Sequence, residues 1–259
     1  MSKLFVKREN GRNLNPLIDT VSNKIEIYSD VKNLKEISEY RKFGWIKGFT
    51  SNPSLIRAGG SKDYVEFIEE ALPLTSDLPF SVEVISDDLN DMKKQALFLH
   101  SLGKNIFVKI PITNTNRLST IPLILDLLDE RVKVNITAVM TLSQVERIYS
   151  SIPLNCEVII SIFAGRIADT GIDPVPFMKK VSGLKPKVKD LKLLWASPRE
   201  ILNIFQAIEC GIDIITATPE VLKKYSLLGK DLDEYSLETV KMFYEDATSA
   251  GYRIPEIDY

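Results

Sequence analysis

Short stretches rich in Val, Ile, Leu and Phe recur along the chain, and each is followed by a segment whose apolar residues have helical spacing. They begin about 27 residues apart on average, close to the length of one strand and its crossover helix. Eight such units in a chain of 259 residues predict an α/β fold with one closed (β/α)8 TIM barrel. The predicted strands are residues 24–29, 45–49, 80–85, 106–110, 133–138, 157–162, 191–195 and 212–217.

The chain divides into an extension, the barrel and a final helix. Residues 1–23 are polar and rich in Asn and Arg, so we treat them as an N-terminal extension to a single barrel domain of residues 24–259. A last helix is predicted at 236–250, with an apolar face that includes Val240 and Phe243. Because no strand accompanies this helix, we expect it either to seal the barrel or to pack on a neighbouring subunit of a homo-oligomer.

Two helix starts carry clear capping signals. Ser197 precedes Pro198 and Glu200, which is the pattern of a capping Ser, a Pro at the first helical position and a Glu three residues after the cap. Thr218 and Pro219 repeat the first part of this arrangement. We therefore predict that a helix begins after Ser197 and another after Thr218.

The composition argues against several classes of protein. The 33 Lys and Arg residues are balanced by 35 Asp and Glu, so nothing favours binding to nucleic acid or to an anionic membrane. Two cysteines and one histidine are too few for a disulfide framework or a zinc cage, and we expect His100 to be structural. Neither a signal-peptide core nor an apolar run of about 18 residues occurs. We therefore expect a cytoplasmic protein.

Polar residues interrupt the predicted strands, mostly near their C-terminal ends. Strands of a closed parallel barrel are covered on both faces, and a polar group buried there without a partner costs about 2 kcal/mol or more. In this fold the C-terminal ends of the strands carry the catalytic groups. The pattern therefore predicts an active site at this end, and Phe163 belongs to it because it shares a strand face with Ser161. Its polar residues are Asp30, Thr50, Asn52, Glu83, Lys109, Asn135, Thr137, Ser161 and Ser197.

Several candidate residues also have a purely structural interpretation. Lys109 could be a charge at a sheet edge or a snorkelling side chain, with Glu83 as its structural ion-pair partner. Asn135 and Thr137 could cap loops, and Arg166 could be an ordinary surface charge. The sequence alone leaves these alternatives open.

A single lysine inside a barrel mouth suggests a specific chemistry. A neutral lysine amine can attack a carbonyl, and the resulting imine, once protonated, accepts the electrons of a breaking C–C bond without a metal. Burial favours the neutral amine, whereas a nearby Glu83 favours the ammonium, and the sequence leaves open which prevails. Asp30 and Glu83 could move the protons. A helix N-terminus at Ser197, with Arg199 in the same turn, would suit a phosphate group.

Six motifs occur in order along the chain. They are GFTSNPSLI at 48–56, VKIPIT at 108–113, NIT at 135–137, SIFAGRI at 161–167, ASPR at 196–199 and TATP at 216–219. Together they resemble the transaldolase family, and the resemblance extends from about residue 25 to residue 253. It implies a (β/α)8 barrel enzyme that acts on sugar phosphates through a Schiff base, with no metal and no cofactor.

The resemblance also implies a role for each residue of the site. Lys109 would be the imine-forming nucleophile, and Asp30 would move the proton of the hydroxyl where the bond breaks. Glu83 and Thr137 would hold the water for imine formation and hydrolysis. The implied substrate-binding residues are Asn52 and Asn135 for the hydroxyls of a dihydroxyacetone unit, Thr50 and Ser161 lining that unit, and Arg166, Ser197 and Arg199 for the phosphate.

Two positions bear on the choice of reaction within the family. Its fructose-6-phosphate aldolases typically have Gln where this chain has Glu83 and Tyr where it has Phe163, so both positions resemble the transaldolases. Without a Tyr hydroxyl to protonate it, the enamine waits for an aldehyde acceptor. We therefore predict transfer of a dihydroxyacetone unit between sugar phosphates, with an aldolase that releases free dihydroxyacetone as the alternative.

Three features depart from the family pattern. Val31, Lys32 and Asn33 stand in place of the usual Thr/Ser-Ala-Asn, and Pro198 replaces an aromatic residue. The N-terminal extension is also atypical of the short members. A transaldolase for a non-standard sugar is therefore a further alternative, and a barrel that binds a sugar phosphate without catalysis is another.

Overall fold

The computed structural model describes residues 7–9, 12–14 and 16–254. Eight parallel strands in this part of the chain close into a barrel in chain order, and the last strand pairs with the first. The prediction of a (β/α)8 barrel is confirmed. After a hairpin of β1 (Lys7–Glu9) and β2 (Arg12–Leu14), the barrel strands are β3 (Glu26–Asp30), β4 (Ile46–Thr50), β5 (Phe80–Glu83), β6 (Ile106–Pro111), β7 (Val134–Val139), β8 (Asn155–Ile162), β9 (Lys189–Trp195) and β10 (Ile214–Ala217).

At least one helix separates each barrel strand from the next. Asn, Asp or Thr side chains cap many of these helices by accepting a backbone N–H, which is why the helices begin where they do. The helices are α1 (Pro16–Ser22), α2 (Leu34–Tyr40), α3 (Pro53–Ala58), α4 (Tyr64–Thr75), α5 (Leu89–Leu102), α6 (Ile121–Asp129), α7 (Leu142–Ser151), α8 (Ala164–Asp169), α9 (Pro174–Gly183), α10 (Leu202–Glu209), α11 (Pro219–Leu222) and α12 (Leu232–Ser249).

The strands contribute to two hydrophobic clusters because successive side chains point to opposite faces. Outward-facing residues pack against the helices in one large core. Inward-facing residues form a smaller cluster inside the barrel. Its buried members are Tyr28, Ile159, Leu194, Ala196 and Ile214.

The N-terminal half of the barrel interior is filled by side chains. The ring of Tyr28 lies over Gly48, where a Cβ atom would come within 2.5 Å of the ring Cζ. Burial and the nearby Glu26 raise the pKa of Tyr28, whose hydroxyl donates to Glu26 Oε2 at 3.3 Å. Glu26 also pairs with Lys192 of β9 at 2.5 Å. An ion pair and an aromatic ring therefore occupy this end of the interior.

Part of the predicted extension belongs to the packed core. Ile18 and Val21 of α1 are buried in the same cluster as the outward faces of the strands. The remainder of the extension includes residues 1–6, 10–11 and 15, which lie outside the described residues. The boundary at residue 23 therefore stays a prediction.

The prediction that a helix begins after Ser197 is wrong. Ser197 has a φ of 61°, in the left-handed region, and α10 begins only at Leu202. The chain makes a close turn here, and a Cβ at Gly165 would lie 1.5 Å from the Ser197 carbonyl oxygen. The side chain of Asn203 accepts the N–H groups of Arg199 and Glu200 at 2.7 and 3.1 Å, so it takes the role expected of Ser197. The second predicted start is confirmed, since α11 follows Thr218.

The C-terminal helix α12 stands apart from the barrel core. It begins at Leu232 because Asp231 caps it, four residues before the predicted start. None of its residues is buried, and Val240, Phe243 and Tyr244 are 61%, 64% and 72% exposed. The alternative that this helix seals its own barrel is therefore wrong. Within the described ranges, no helix has the length and apolarity that a membrane span requires.

Candidate active site

A polar cavity of about 130 Å³ opens at the C-terminal end of the barrel strands. The structure brings together in its lining every residue of the predicted site except Glu83, which contacts Lys109 from the side. Ala196, Pro198, Thr216 and Thr218 complete the lining. The predicted residues in it are Asp30, Thr50, Asn52, Lys109, Asn135, Thr137, Ser161, Phe163, Arg166, Ser197 and Arg199.

A larger cavity of about 550 Å³ lies at the opposite end of the barrel. Residues such as Lys133, Asn155 and Lys189, at or just before the starts of strands, line it. Its charges have both signs, and Lys133 is already paired with Glu157 at 3.0 Å. None of the predicted site residues lines this cavity. Since catalytic groups in this fold stand at the C-terminal ends of the strands, the smaller cavity is the candidate active site.

Strand register explains why the site residues converge. Glu83, Lys109 and Asn135 are direct cross-strand neighbours on β5, β6 and β7. Asp30 and Thr50 are paired in the same way on β3 and β4. Neighbours in register on parallel strands point to the same face, which here is the interior of the barrel.

Lys109 is buried, with 7% of its surface exposed. Its Nζ donates to the carbonyl oxygen of Ser51 at 3.0 Å and lies 3.3 Å from Glu83 Oε2. The backbone of Glu83 is held by Tyr64, whose hydroxyl donates to its carbonyl at 2.7 Å and accepts its N–H at 2.8 Å. A closed barrel has no edge strand, so the interpretation of Lys109 as an edge charge is wrong. The ion pair with Glu83, one of the open alternatives, is present.

Asp30 lies in the same interior and has an unusual electrostatic environment. Burial raises the pKa of its carboxyl above the ordinary value, although the charge of Lys109 and a hydrogen bond from Thr50 oppose this effect. Thr50 Oγ1 donates to Asp30 Oδ1 at 2.7 Å. A carboxyl with a raised pKa can hold and deliver a proton as well as accept one.

Asn135 is held by two serines. Its Nδ2 donates to Ser81 Oγ at 3.1 Å, and its Oδ1 accepts from Ser161 Oγ at 2.7 Å. The sequence argument missed Ser81, although its position two residues before Glu83 places both on one face of β5. The structure therefore explains Asn135 as part of the site and not as a loop cap.

The hydroxyl of Thr137 differs from the other polar groups of the cavity. Thr137 Oγ1 is buried and has no hydrogen-bond partner among the residues that the structure describes. A buried hydroxyl without a protein partner is costly, which suits a group that binds a water or a substrate oxygen. It lies on β7 and faces the cavity, so its interpretation as a loop cap is wrong.

Asn52 combines a structural contact with a place in the cavity lining. Its Oδ1 caps α3 by accepting the N–H of Leu55 at 3.0 Å. The amide nitrogen is the donor that this leaves for a ligand oxygen. Lys32, which departs from the family pattern, has a structural contact instead, because it pairs with Glu220 at 3.2 Å. Asn33, which matches the pattern, caps α2.

Two arginines stand at the outer rim of the cavity. Arg166 lies over the ring of Phe163, with 5.6 Å between the guanidinium carbon and the ring centroid. Arg199 forms a two-point ion pair with Asp169, in which its Nε lies 3.0 Å from Oδ1 and its Nη2 contacts Oδ2. Asp169 lies 30 residues from Arg199, and no sequence motif predicts this contact. Since α10 begins after this segment, cationic side chains and not a helix N-terminus would have to attract an anion here.

The described residues contain no group of three or more His, Cys, Asp or Glu side chains placed to hold a metal ion. His100 lies in α5 and does not line the cavity.

Comparison with known proteins points to one family. Residues 27–254 match the family model described as Transaldolase/Fructose-6-phosphate aldolase. A protein of Thermoplasma volcanium named "Probable transaldolase" is 33% identical over 202 residues, which are 77% of this chain and 86% of that protein. A protein of Thermoanaerobacter sp. with the same name is 30% identical over 231 residues, which are 89% of this chain and the whole of that protein.

Among solved structures, the similarity is one of fold. The tryptophan synthase A-subunit from Pyrococcus furiosus superposes with a TM-score of 0.55, covering 82% of this chain and 93% of that chain, at 8% sequence identity. At this level of identity the likeness concerns the fold alone.

Proposed function

We propose that this chain, which belongs to the transaldolase/fructose-6-phosphate aldolase family, is a transaldolase that moves a dihydroxyacetone unit from a ketose phosphate to an aldose phosphate. The nucleophile would be Lys109, and no metal ion or organic cofactor would take part. The observation that carries the proposal is a lysine 7% exposed at the cavity, with a carboxylate 3.3 Å from its amine. That carboxylate can take the proton that the amine must lose.

The proposed reaction begins with proton transfer from Lys109 to Glu83, which leaves a neutral amine. The amine attacks the carbonyl carbon of the ketose, and Glu83 returns its proton to the departing carbonyl oxygen. The oxygen leaves as water, and a protonated C=N bond replaces the C=O bond. Asp30 then takes the proton of the hydroxyl on the carbon β to the imine. The bond between the α and β carbons breaks, its electrons form an enamine, and an aldose phosphate leaves as the aldehyde.

The second half of the proposed reaction runs through the same groups in reverse. The enamine adds to a second aldose phosphate, and Asp30 returns its proton to the new hydroxyl. Water then hydrolyses the imine and releases the new ketose phosphate and free Lys109. The raised pKa of Asp30, caused by its burial, supports this double role, since the group must both accept and deliver one proton.

Glu83 and Thr137 are proposed to hold the water that leaves and returns at the imine carbon. Glu83 Oε2 contacts the lysine amine directly, and Thr137 Oγ1 is buried without a partner among the described residues. These two groups would supply an acceptor and a hydroxyl from the two strands that flank Lys109, β5 and β7.

Amide groups are proposed to bind the dihydroxyacetone unit. Asn135 is fixed between two serines, one of them Ser161, so little side-chain entropy is lost when it binds a hydroxyl. Asn52 would donate from its amide nitrogen, and Thr50 would line the unit. Donors that are fixed in advance in this way would stabilise the bound enamine and limit its proton exchange with solvent.

The phosphate of each sugar is proposed to bind at the outer rim. Arg166 and Arg199 supply two cations there, and Ser197 supplies a hydroxyl in the same lining. Asp169 would orient the guanidinium of Arg199 and offset part of its charge. The rim would therefore attract a phosphorylated substrate, and the electrostatic attraction would be modest.

An aldolase that releases free dihydroxyacetone is the second candidate. Release needs an acid that protonates the enamine before an aldehyde arrives. Phe163, the residue that faces this part of the cavity, has no hydroxyl to serve as that acid. This observation favours transfer. Product formation with and without erythrose 4-phosphate distinguishes the two, since transfer requires the acceptor and release does not.

The experiment that tests the nucleophile is trapping of the imine. Borohydride reduction in the presence of fructose 6-phosphate should leave a covalent adduct on the peptide that contains Lys109, detected by mass spectrometry. Lys192→Met is the matched control, because Lys192 also points into the barrel and pairs with a glutamate. It should leave the adduct in place, whereas Lys109→Met should remove it. An adduct on another lysine, or none with any ketose phosphate, would overturn the proposal.

A homo-oligomer remains part of the proposal. The exposed apolar residues of α12, including Val240 and Phe243, support packing of this helix on a second copy of the chain. Light scattering on the unmodified chain and on Phe243→Asp tests it. If both proteins have the molar mass of a single chain, the proposal of a homo-oligomer is contradicted.

A further inference from the structure

Three side chains on neighbouring strands form a continuous hydrogen-bonded chain in the cavity. Thr50 Oγ1 lies 2.7 Å from Asp30 Oδ1 and 2.6 Å from Thr216 Oγ1. Thr216 on β10 and Thr50 on β4 stand on opposite sides of β3, which carries Asp30. Thr216 is buried and lines the cavity, but the proposed reaction gives it no role.

The number of hydroxyl hydrogens determines the direction of this chain when Asp30 is ionised. A carboxylate accepts hydrogen bonds and donates none, so the single hydrogen of the Thr50 hydroxyl must point to Asp30. Thr50 can then only accept from Thr216, whose own hydrogen must point to Thr50. When Asp30 is protonated, the chain can reverse, with Asp30 donating to Thr50 and Thr50 donating to Thr216.

We propose that Thr216 is a positioning residue that acts through Thr50 on Asp30, stabilising the ionised carboxylate that accepts the substrate proton. The inference rests on the proposed function, in which Asp30 takes that proton. Because Oδ1 of Asp30 is occupied by Thr50, Oδ2 is the oxygen left to face the substrate hydroxyl. The contribution of Thr216 arises because a hydrogen bond that ends on an ion polarises the next bond in the chain.

The charged groups around Asp30 set the background for this contribution. Lys109 on β6 favours the ionised form, whereas Glu83 on β5 and Glu36 on α2 favour the protonated form. Burial also favours the protonated form, and the hydrogen bond from Thr50 opposes it. Lys109 is the charged group that favours the ionised form of Asp30. The hydroxyl of Thr50, and through it that of Thr216, are thus the neutral groups that favour the same form.

The test compares three variants by the pH dependence of kcat/KM for transfer, whose acid limb reports ionisation in the free enzyme. Thr216→Val removes the hydroxyl at nearly constant volume and should move the acid limb up by about half a pH unit. Thr50→Val should move the limb further, by about one unit, because it removes the direct bond to Asp30. Thr216→Ser keeps the hydroxyl and should restore the limb of the unmodified chain.

A second readout separates Asp30 from the other titrating groups of the site. The rate of borohydride trapping depends on imine formation at Lys109, before Asp30 acts. Its pH profile should therefore be the same in Thr216→Val and in the unmodified chain. A uniform loss of activity at every pH, with no movement of the acid limb, would mean that Thr216 only packs, and the inference would be wrong.

Direct titration of Asp30 keeps the inference testable independently of turnover. Carbon-13 NMR of the labelled Asp30 carboxyl should show a higher pKa in Thr216→Val than in the unmodified chain, and Thr216→Ala provides the same comparison if the valine does not fold. An unchanged pKa would overturn the inference even if Lys109 is trapped. Absence of a Lys109 adduct in the unmodified chain would instead overturn the proposed function, while the NMR comparison would still stand.

Discussion

Two lysines on barrel strands point into the interior, one near each end. Lys109 pairs with Glu83 at the C-terminal end, where the side chains of the pair are 8% and 23% exposed. Lys192 pairs with Glu26 at the N-terminal end, where the values are 40% and 36%. The residue types are the same, but Lys109 lines the candidate active-site cavity with further polar groups, whereas Lys192 and Glu26 line neither of the two cavities described above. The comparison teaches that burial and neighbours, and not a lysine in a strand, mark the candidate nucleophile.

The packing of the barrel interior also differs around the two lysines. Tyr28 and its apolar neighbours fill the barrel above Lys192, with the Tyr28 ring against Gly48. Lys109 faces instead a carboxyl with a raised pKa, Asp30, and the hydroxyl of Thr137, which has no hydrogen-bond partner in the described part of the chain. One end of the interior is thus packed for stability, and the other carries polar groups at a cost in stability, as functional sites do.

The largest expected effect separates the two lysines by activity. Lys109→Met should lower kcat for transfer by about 10³-fold or more, because the covalent route is lost. Lys192→Met should leave kcat within about twofold, since a half-exposed ion pair is worth at most about 1 kcal/mol of stability. Steady-state assays of both purified variants provide the measurement. Equal losses in the two would remove the distinction between the ends.

Replacement of Asp30 should separate imine formation from bond cleavage. Asp30→Asn should slow transfer by about 10²–10⁴-fold, the usual contribution of a general acid–base group. The Lys109 adduct should still form on borohydride treatment. Loss of the adduct together with activity would show that Asp30 serves an earlier step than the one proposed.

The same variant should change stability with a defined sign. Burial raises the pKa of Asp30 in the folded chain, so the folded state binds more protons than the unfolded state. The stability from this group is present below its unfolded pKa of about 3.9 and is lost as the pH rises through the folded pKa. Asp30→Asn should therefore raise Tm at pH 7 and give a smaller gain at pH 3.5. Thermal unfolding at the two pH values checks this, and a Tm loss at pH 7 would contradict it.

The two glutamates should differ in the same way as the two lysines, with a smaller effect. Glu83→Gln should lower kcat by about 10–100-fold, because the amide cannot take the proton of Lys109. Glu26→Gln should leave kcat unchanged within error. If both variants lose activity equally, the Glu83 contact is structural and the proton acceptor lies elsewhere.

The smallest effect on activity is expected at the packed end. Gly48→Ala would place a Cβ 2.5 Å from the Tyr28 ring, so the ring must move. We expect a loss of about 1–3 kcal/mol in the free energy of unfolding, the usual cost of overpacking, with the pH profile of transfer unchanged. Urea denaturation measures the first and kinetics the second. A stability unchanged from the parent chain would mean that the interior at this end is loosely packed.

Most of the fold could be predicted because its signals are local. Strand and helix periodicity placed all eight strands within a few residues of their observed positions. Alternation along a strand likewise puts Asn135 and Thr137 on one face, which follows from their spacing alone. The prediction of a helix start at Ser197 was wrong for a physical reason. The carbonyl of Ser197 packs closely against Gly165, and the chain makes a left-handed turn there. Asn203 supplies the cap from a later position.

The partners of the site residues could not be predicted in the same way. Asp169 holds Arg199 from 30 residues away along the chain, and Thr216 contacts Thr50 across 166 residues. No spacing rule connects such pairs, because they meet only when the barrel closes and β10 pairs with β3. Ser81 was within reach of the sequence argument, since alternation from Glu83 places it inward.

By itself the sequence determined the number of βα units, the end of the barrel that carries the polar residues, and the family motifs around Lys109. These depend on residue type and on spacing along the chain, which periodicity exposes directly. Only the tertiary structure decided which of two inward lysines stands beside a cavity, which carboxylate contacts it, and which hydroxyls line up on Asp30. Those relations depend on burial and on distances across the closed barrel, and both arise only when strands far apart in sequence become neighbours.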